Sequence, residues 1–322
     1  MSLLRCIKIT SNIIRYFLVM VVLLGLVACS KSTYKVNQLN RQPGQESLLS
    51  TSIDSDTSPL LDKSVVELLV AGFTYLKSKN YQLAELHFRV ALEKEPDTAE
   101  AYIGIGQIEQ RKGNYPLSSA FFEKAAALNP NSLAALLGSA RALRLQGKLN
   151  TAIEKINAAM MISPNEIEII RELALIYDLM GNEELSLPLY QELVNRAPDQ
   201  AENHNNLGLN HMVGGRYDEA ILSFLQAVEL DNDNNKIKNN LASAYALNGM
   251  ENKALKIFAS TVGESAAYNN LGYLYMNLQR WDDAERALKK ALLLSPKHYL
   301  RAQENLDTLI DLRMNAVTEH RQ

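Results

Sequence analysis

The sequence predicts an all-α protein in which helix-turn-helix repeats stack into a solenoid. Three observations support this: a 34-residue period, a large apolar residue recurring at that period between mostly small ones, and glycine and proline residues held at fixed positions within it. The clearest unit is 201–234, where Ala220, Phe224 and Ala227 share one helix face at spacings i, i+4 and i+7. A single hairpin cannot bury such an apolar stripe, so we expect its copies to stack on one another.

Seven units follow this period, and the sixth is four residues shorter than the others. The predicted boundaries are 65–98, 99–132, 133–166, 167–200, 201–234, 235–264 and 265–298. Proline ends the second helix of five units because it lacks an amide hydrogen: Pro96, Pro130, Pro164, Pro198 and Pro296. Glycine marks the turn between the two helices in five units: Gly113, Gly147, Gly181, Gly215 and Gly249. Residues 299–314 predict one further helix that caps the last repeat, before a frayed tail at 315–322.

The period, the small residue at the eighth position, Ala or Ser at the twentieth and Pro at the thirty-second resemble the tetratricopeptide repeat (TPR). The resemblance covers all seven units, from Val65 to about His298. It implies a right-handed superhelical solenoid with a concave groove. It also implies a non-enzymatic protein that binds other proteins.

The first 28 residues predict a lipoprotein signal peptide. Three basic residues precede an apolar run from Tyr16 to Leu24, and Leu26-Val27-Ala28-Cys29 follows. This tetrapeptide resembles a bacterial lipoprotein signal, which implies a diacylglycerol on Cys29. With Ser30 rather than Asp next, the resemblance further implies transfer to the outer membrane. The alternative is a transmembrane anchor, but the run is shorter than the roughly 20 residues that span a bilayer.

Composition narrows the possible functions. Residues 29–64 are rich in Ser, Thr, Asn and Gln and predict a flexible, lipidated tether. The formal charge is −3, and removing three basic residues with the signal peptide leaves about −6, which disfavours nucleic acid as a partner. Of the two cysteines, Cys6 lies in the signal peptide and Cys29 takes the lipid, so none remains for a disulfide or a soft-metal site. We expect no cofactor apart from this lipid, and no small-molecule substrate.

Motifs for catalysis are missing from the sequence, which has no glycine-rich phosphate loop, nucleophile elbow or metalloprotease helix. His204 and His211 share one helix face and could indicate a metal, but they occupy positions filled by tyrosine in other units. We therefore expect them to pack. Residues 231–235 resemble a calcium loop only faintly, because the turn glycine and the terminal glutamate are absent, so we expect a solvated turn there.

Helical geometry places positions 2, 6, 9 and 13 of each first helix opposite the core-facing side. The resemblance to the TPR implies that these positions line the concave, protein-binding groove. In the last three repeats the candidate groove residues are Asn206, Leu209, Lys236, Asn240, Ser243, Asn270 and Tyr273. The three asparagines share position 6, and a row of amides can hold a peptide backbone because each amide both donates and accepts. Similar asparagine ladders line the groove of other TPR proteins. The alternative is that asparagine simply suits the repeat consensus.

The same helix positions bear on two other possible binding modes of the groove. A carboxylate clamp is disfavoured because Leu300 and Glu304 fall where its final basic pair should stand. In repeats three and four, mixed charges and leucines indicate a helix or loop of a protein partner: Arg141, Leu145, Glu168, Arg171, Glu172, Leu175 and Leu179.

The motifs HNNLG, GRYDEA, KNNLA and AAYNNLGYLYM, between His204 and Met276, and the shortened sixth repeat resemble the TadD family of TPR lipoproteins. That family belongs to the tight-adherence (Tad/Flp) pilus system. The resemblance implies an outer-membrane scaffold, on the periplasmic face, that binds the secretin or other pilus components during their assembly. Two alternatives remain, a pilotin-like lipoprotein of type IV pili and an adaptor for peptidoglycan hydrolases.

Overall fold

The computed structural model describes residues 58–295 and 300–319, which form α-helices with no β-strand among them. The helices are α1 (Ser58–Leu61), α2 (Val65–Lys77), α3 (Tyr81–Lys94), α4 (Ala99–Arg111), α5 (Tyr115–Leu128), α6 (Leu133–Leu145), α7 (Leu149–Ile162), α8 (Ile167–Leu179), α9 (Glu183–Arg196), α10 (Ala201–Val213), α11 (Tyr217–Leu230), α12 (Asn235–Leu247), α13 (Glu251–Val262), α14 (Glu264–Asn277), α15 (Trp281–Leu294) and α16 (Leu300–Glu319). The predicted all-α fold of helix-turn-helix repeats is confirmed. The predicted signal peptide, Cys29 and most of the predicted tether lie outside the described residues.

The chain divides into two compact units, one ending at Met180 and the other beginning at Gly181. In the first unit, α2–α3, α4–α5 and α6–α7 are hairpins stacked in chain order, and α8 packs on α7 and α6. In the second unit, α9 packs on α10, the pairs α10–α11, α12–α13 and α14–α15 are hairpins, and α16 packs on α15. The predicted fourth repeat, 167–200, therefore contributes its first helix to one unit and its second helix to the other.

Several helices begin with a side chain that satisfies free backbone amides. Ser64 and Glu67 form a reciprocal capping box at the start of α2. Asn234 accepts from the amides of Lys236 and Ile237 at 3.1 and 3.4 Å, and its Nδ2 donates to Asp231 Oδ2 at 2.9 Å. The segment 231–235 thus forms the capping turn of α12.

The turns inside the hairpins require left-handed backbone. The five predicted turn glycines have φ between 70° and 80°, a region that L side chains rarely adopt. The first and last hairpins place Lys79 and Gln279 there, with φ of 62° and 56°. In the short sixth repeat, Gly263 alone joins α13 to α14, with φ 86° and ψ 161°.

Four hairpins close on a large buried side chain that lies against at least one glycine of a first helix. Phe88 is fully buried, and a Cβ added to Gly72 or Gly104 would lie 2.6 or 2.3 Å from its ring. These glycines allow the helices to approach closely around the ring. The arrangement recurs where Phe122 meets Gly106 and Gly138, where Phe224 meets Gly208, and where Leu288 meets Gly272.

The two ends of the described chain extend beyond the predicted repeats. At the start, α1 lies inside the predicted tether, Leu60 packs against the first core cluster, and Lys94 Nζ donates to the carbonyls of Leu61 and Lys63 at 2.5 and 2.6 Å. At the other end, α16 continues to Glu319, although the sequence analysis predicted a frayed tail from residue 315. Residues 300–319 contain no glycine or proline that would end the helix earlier.

We expect Gly138→Ala to destabilise the protein by about 1–2 kcal/mol. Overpacking costs about 1–3 kcal/mol, and the better helix propensity of alanine returns up to about 1 kcal/mol. The reason is that the new Cβ would lie 2.3 Å from the ring of Phe122, which is only 1% exposed. Urea unfolding followed by circular dichroism measures the loss. In a Phe122→Leu background the same substitution should cost much less; an equal cost in both backgrounds would refute the packing argument.

Candidate functional site

Three successive first helices of the second unit carry an asparagine pair at the same place. These are Asn205-Asn206 on α10, Asn239-Asn240 on α12 and Asn269-Asn270 on α14. We call these six residues the asparagine face. Its amides are the candidate for peptide recognition because each presents two donors and one acceptor oxygen.

Part of the asparagine face is occupied by bonds between neighbouring helices. Asn240 Nδ2 on α12 donates to Asn205 Oδ1 on α10 at 2.8 Å. In the same way, Asn305 Nδ2 on α16 donates to Asn269 Oδ1 on α14 at 2.9 Å. On α12, Asn239 Oδ1 accepts from Thr261 Oγ1 of α13 at 2.6 Å. These bonds link α12 to α10, α16 to α14 and α13 to α12.

The three predicted ladder residues are therefore not equivalent. Asn206, Asn240 and Asn270 are all half-buried. Asn240 uses its NH2 group on Asn205, whereas Asn206 only accepts a long bond of 3.4 Å from its neighbour Asn205. Asn270 makes no side-chain hydrogen bond to another described residue. The amides of Asn206 and Asn270 remain available to a ligand.

The other predicted groove residues differ in accessibility. Lys236 is exposed, while Leu209 and Tyr273 are half-buried and pack against the apolar clusters of the second unit. Ser243 is only 1% exposed, so its predicted place on an accessible groove is wrong. Its short side chain turns back to its own helix, where Oγ donates to the carbonyl of Asn239 at 2.8 Å.

Two fully buried asparagines join α9 to α10, and the sequence analysis missed both. Asn203 Nδ2 donates to the carbonyls of Leu193 and Ala197, each at 3.1 Å. Asn210 Nδ2 donates to Ser186 Oγ at 2.8 Å. Buried amides need such partners, so these two residues are structural. Asn205, Asn239 and Asn269 were also missed, and the signal that could have found them is the repeated Asn-Asn doublet in the sequence.

The two histidines on α10 bond to nearby protein atoms. His204 Nε2 lies 2.8 Å from the carbonyl of Pro198, and His211 Nδ1 accepts from Arg216 Nε at 2.9 Å. Burial lowers the pKa of His211, and the positive charge of Arg216 lowers it further. The imidazole of His211 is therefore held neutral, as an acceptor must be. Across the described parts of the chain, no group of three or more His, Cys, Asp or Glu side chains is placed to hold a metal ion.

The charged residues of repeats three and four largely bond to one another. Glu172 is 2% exposed and accepts from both Arg141 and Arg144, while Arg171 pairs with Glu168. The mixed charge predicted for this groove is therefore partly neutralised inside the protein.

None of the helices in the described segments is both long and apolar enough to cross a membrane.

We expect Asn240→Ala to destabilise the protein by about 0.5–1.5 kcal/mol, because it removes the bond that joins α12 to α10. The matched control is Asn270→Ala, at the same position of the next repeat, which should cost less than about 0.5 kcal/mol. Thermal and urea unfolding measure both. Equal losses for the two variants would show that the Asn240–Asn205 bond contributes nothing.

Family models of the repeat match the chain in four places. A model described as tetratricopeptide repeat matches residues 70–132 and 105–166, and another with that description matches 265–298. A model described as TPR repeat matches 211–249. No curated protein matches the chain.

Several solved structures share the fold at low sequence identity. A tetratricopeptide repeat protein from Parabacteroides merdae is 16% identical with a TM-score of 0.57, covering 76% of this chain and 98% of that one. Human IFIT1, solved as a dimer with m7Gppp-AAAA, is 19% identical with a TM-score of 0.58, covering 80% and 65%. The pilF protein of Pseudomonas aeruginosa is 15% identical with a TM-score of 0.53, covering 69% and 98%.

At these identities the structural neighbours show the fold alone. The family models and the stacked helical hairpins agree with that fold. The chain belongs to the tetratricopeptide repeat proteins, whose repeats serve as scaffolds for protein–protein interaction.

Proposed function

We propose that this protein is a lipid-anchored scaffold of the bacterial outer membrane that binds protein partners during assembly of a tight-adherence (Tad/Flp) pilus, as its resemblance to TadD implies. The main support is the asparagine face on α10, α12 and α14. Its doublets belong to the motifs HNNLG, KNNLA and YNNLGYLYM, on which the resemblance rests.

The asparagine face suits a segment of extended protein chain. The amides of Asn206 and Asn270 are half-buried and available, so each can donate to a carbonyl and accept from an amide of a bound backbone. Leu209 and Tyr273 add partly exposed apolar surface, and Lys236 adds an exposed charge. A partner such as the secretin or another pilus component would bind through its main chain.

A second candidate is a pilotin-like lipoprotein of type IV pili, and the shared fold with pilF is compatible with it. An adaptor for peptidoglycan hydrolases would also use the asparagine face, although no feature of the described residues favours it. All three roles are scaffolds without catalysis of their own. The identity of the bound partner distinguishes them.

In-cell photo-crosslinking tests the function directly. A photoreactive amino acid at position 206 or 270 should crosslink to the secretin or to another Tad/Flp component, because these amides are the open part of the asparagine face. The control is the same amino acid at position 229, which is exposed on α11. Mass spectrometry identifies the product.

Each crosslinking outcome has a definite meaning. A type IV pilus secretin or a peptidoglycan hydrolase at positions 206 and 270 would replace the Tad/Flp assignment with the matching alternative. Crosslinks from position 229 but not from 206 or 270 would refute the asparagine face as the binding surface.

We expect Cys29→Ala to release the protein from the outer membrane, because it removes the thiol that would carry the diacylglycerol. Density-gradient fractionation of envelopes measures the distribution, and Cys6→Ala is the control because it leaves the lipidation site intact. Retention of the Cys29→Ala protein in membranes would indicate a transmembrane anchor instead.

A further inference from the structure

We propose that α6 and α8 form a docking point for an acidic side chain in a leucine-containing segment of a protein partner, anchored by Arg141 and Arg144. The inference rests on the proposed scaffold function and names the chemistry of a partner. It concerns the unit that ends at Met180, whereas the asparagine face belongs to the unit that begins at Gly181.

The two arginines already bind a carboxylate of the protein itself. Arg141 Nε donates to Glu172 Oε1 at 2.6 Å, and Arg144 Nε donates to Glu172 Oε2 at 2.9 Å. Glu172 is 2% exposed, so this ion pair is largely shielded from water. One carboxylate between two guanidinium groups neutralises only half of their charge.

The remaining donors of the pair are accessible. Arg141 Nη2 makes only a long contact of 3.5 Å to Glu168, and Glu168 also bonds to Arg171. Arg144 has no ion pair or side-chain hydrogen bond to any described residue other than Glu172, and 14% of its side chain is exposed. With three arginines and two glutamates, the cluster keeps one net positive charge in a chain whose formal charge is −3.

Leucines border this charge on both helices. Leu137 and Leu145 lie one turn before and after Arg141 on α6, and Leu145 is 39% exposed. On α8, Leu175 is half-buried one turn after Glu172. The helices α6 and α8 pack side by side, so a cationic point lies within a partly apolar strip. An acidic side chain next to leucine matches both features, whereas a free anion would use only the charge.

The neighbouring leucines also strengthen the bonds between the arginines and a partner's carboxylate. Charge-assisted hydrogen bonds from arginine to a carboxylate are among the stronger ones, and they are screened less when apolar groups exclude water around them. A guanidinium can hold a carboxylate through two parallel bonds, which a lysine cannot do. We therefore expect arginine, and not merely positive charge, to be required.

A phage-displayed library of random dodecapeptides, selected on the full chain in detergent, provides the test. Peptides enriched on the wild type should carry Asp or Glu beside leucine. The acidic preference should disappear with Arg141→Gln and with Arg144→Gln. It should persist with Lys148→Gln, which removes an exposed cation that makes no side-chain bond to the described residues.

Selected peptides are then measured individually by fluorescence anisotropy. Arg141→Gln should weaken binding at least tenfold, Arg141→Lys should restore only part of it, and Glu172→Gln should strengthen it because the internal competitor is removed. Melting curves establish whether each variant is folded. If an arginine variant does not fold, the stronger binding expected of Glu172→Gln still tests the inference. Amidated and free-acid peptides should bind equally if a side-chain carboxylate is recognised.

Several outcomes would overturn the inference. These are no enriched peptide, enrichment without acidic residues, an acidic preference that survives Arg141→Gln, binding that requires a free C-terminus, or Glu172→Gln binding more weakly. The scaffold function itself fails separately, because it is tested by crosslinking at positions 206 and 270.

Discussion

The close approach of successive helices around one large side chain is the constraint on which the rest of the structure depends. Phe88 fills the space between Gly72 and Gly104 so completely that a Cβ on either glycine would enter its ring. In the first unit, this contact and that of Phe122 with Gly138 set the distance between one hairpin and the next. The other side chains between the first helices must fit into the space that this distance leaves.

Position 6 of the repeat shows the consequence most clearly. It is Gly104 and Gly138 in the second and third repeats, where any side chain would collide with the preceding phenylalanine. In the fourth repeat it is Glu172, which reaches back to two arginines of the preceding first helix, and in the sixth it is Asn240, which reaches back to Asn205. A position that seemed to line an open groove is mostly a contact between repeats.

The sequence predicted the helices well because their causes are local. A large residue at i+4 between smaller ones at i and i+7, turn glycines and closing prolines act within one hairpin, so they are visible without knowing what lies beside it. The accessibility of a single side chain depends on the next helix. The local sequence pattern does not determine the distance or the rotation of that helix. Ser243 was therefore placed on the surface although it is buried, and the partners of Asn240 and Asn269 were missed. The helix α1 was missed for a related reason, because it is held by Lys94, which follows it by about 30 residues.

The two candidate surfaces would recognise a partner by different physics. Asn206 and Asn270 carry no charge, so a bond between their amides and a peptide backbone hardly changes with ionic strength and reads little of the partner's sequence. Arg141 and Arg144 act through charge, which salt screens over about 8 Å at physiological ionic strength, and they select the acidic side chain itself. Glu172 limits the affinity of that second surface, because a partner's carboxylate must share guanidinium groups that already bind the carboxylate of Glu172. Arginine contacts of this kind suit a scaffold that selects an acidic segment, whereas uncharged main-chain contacts suit one that holds a segment whatever its sequence.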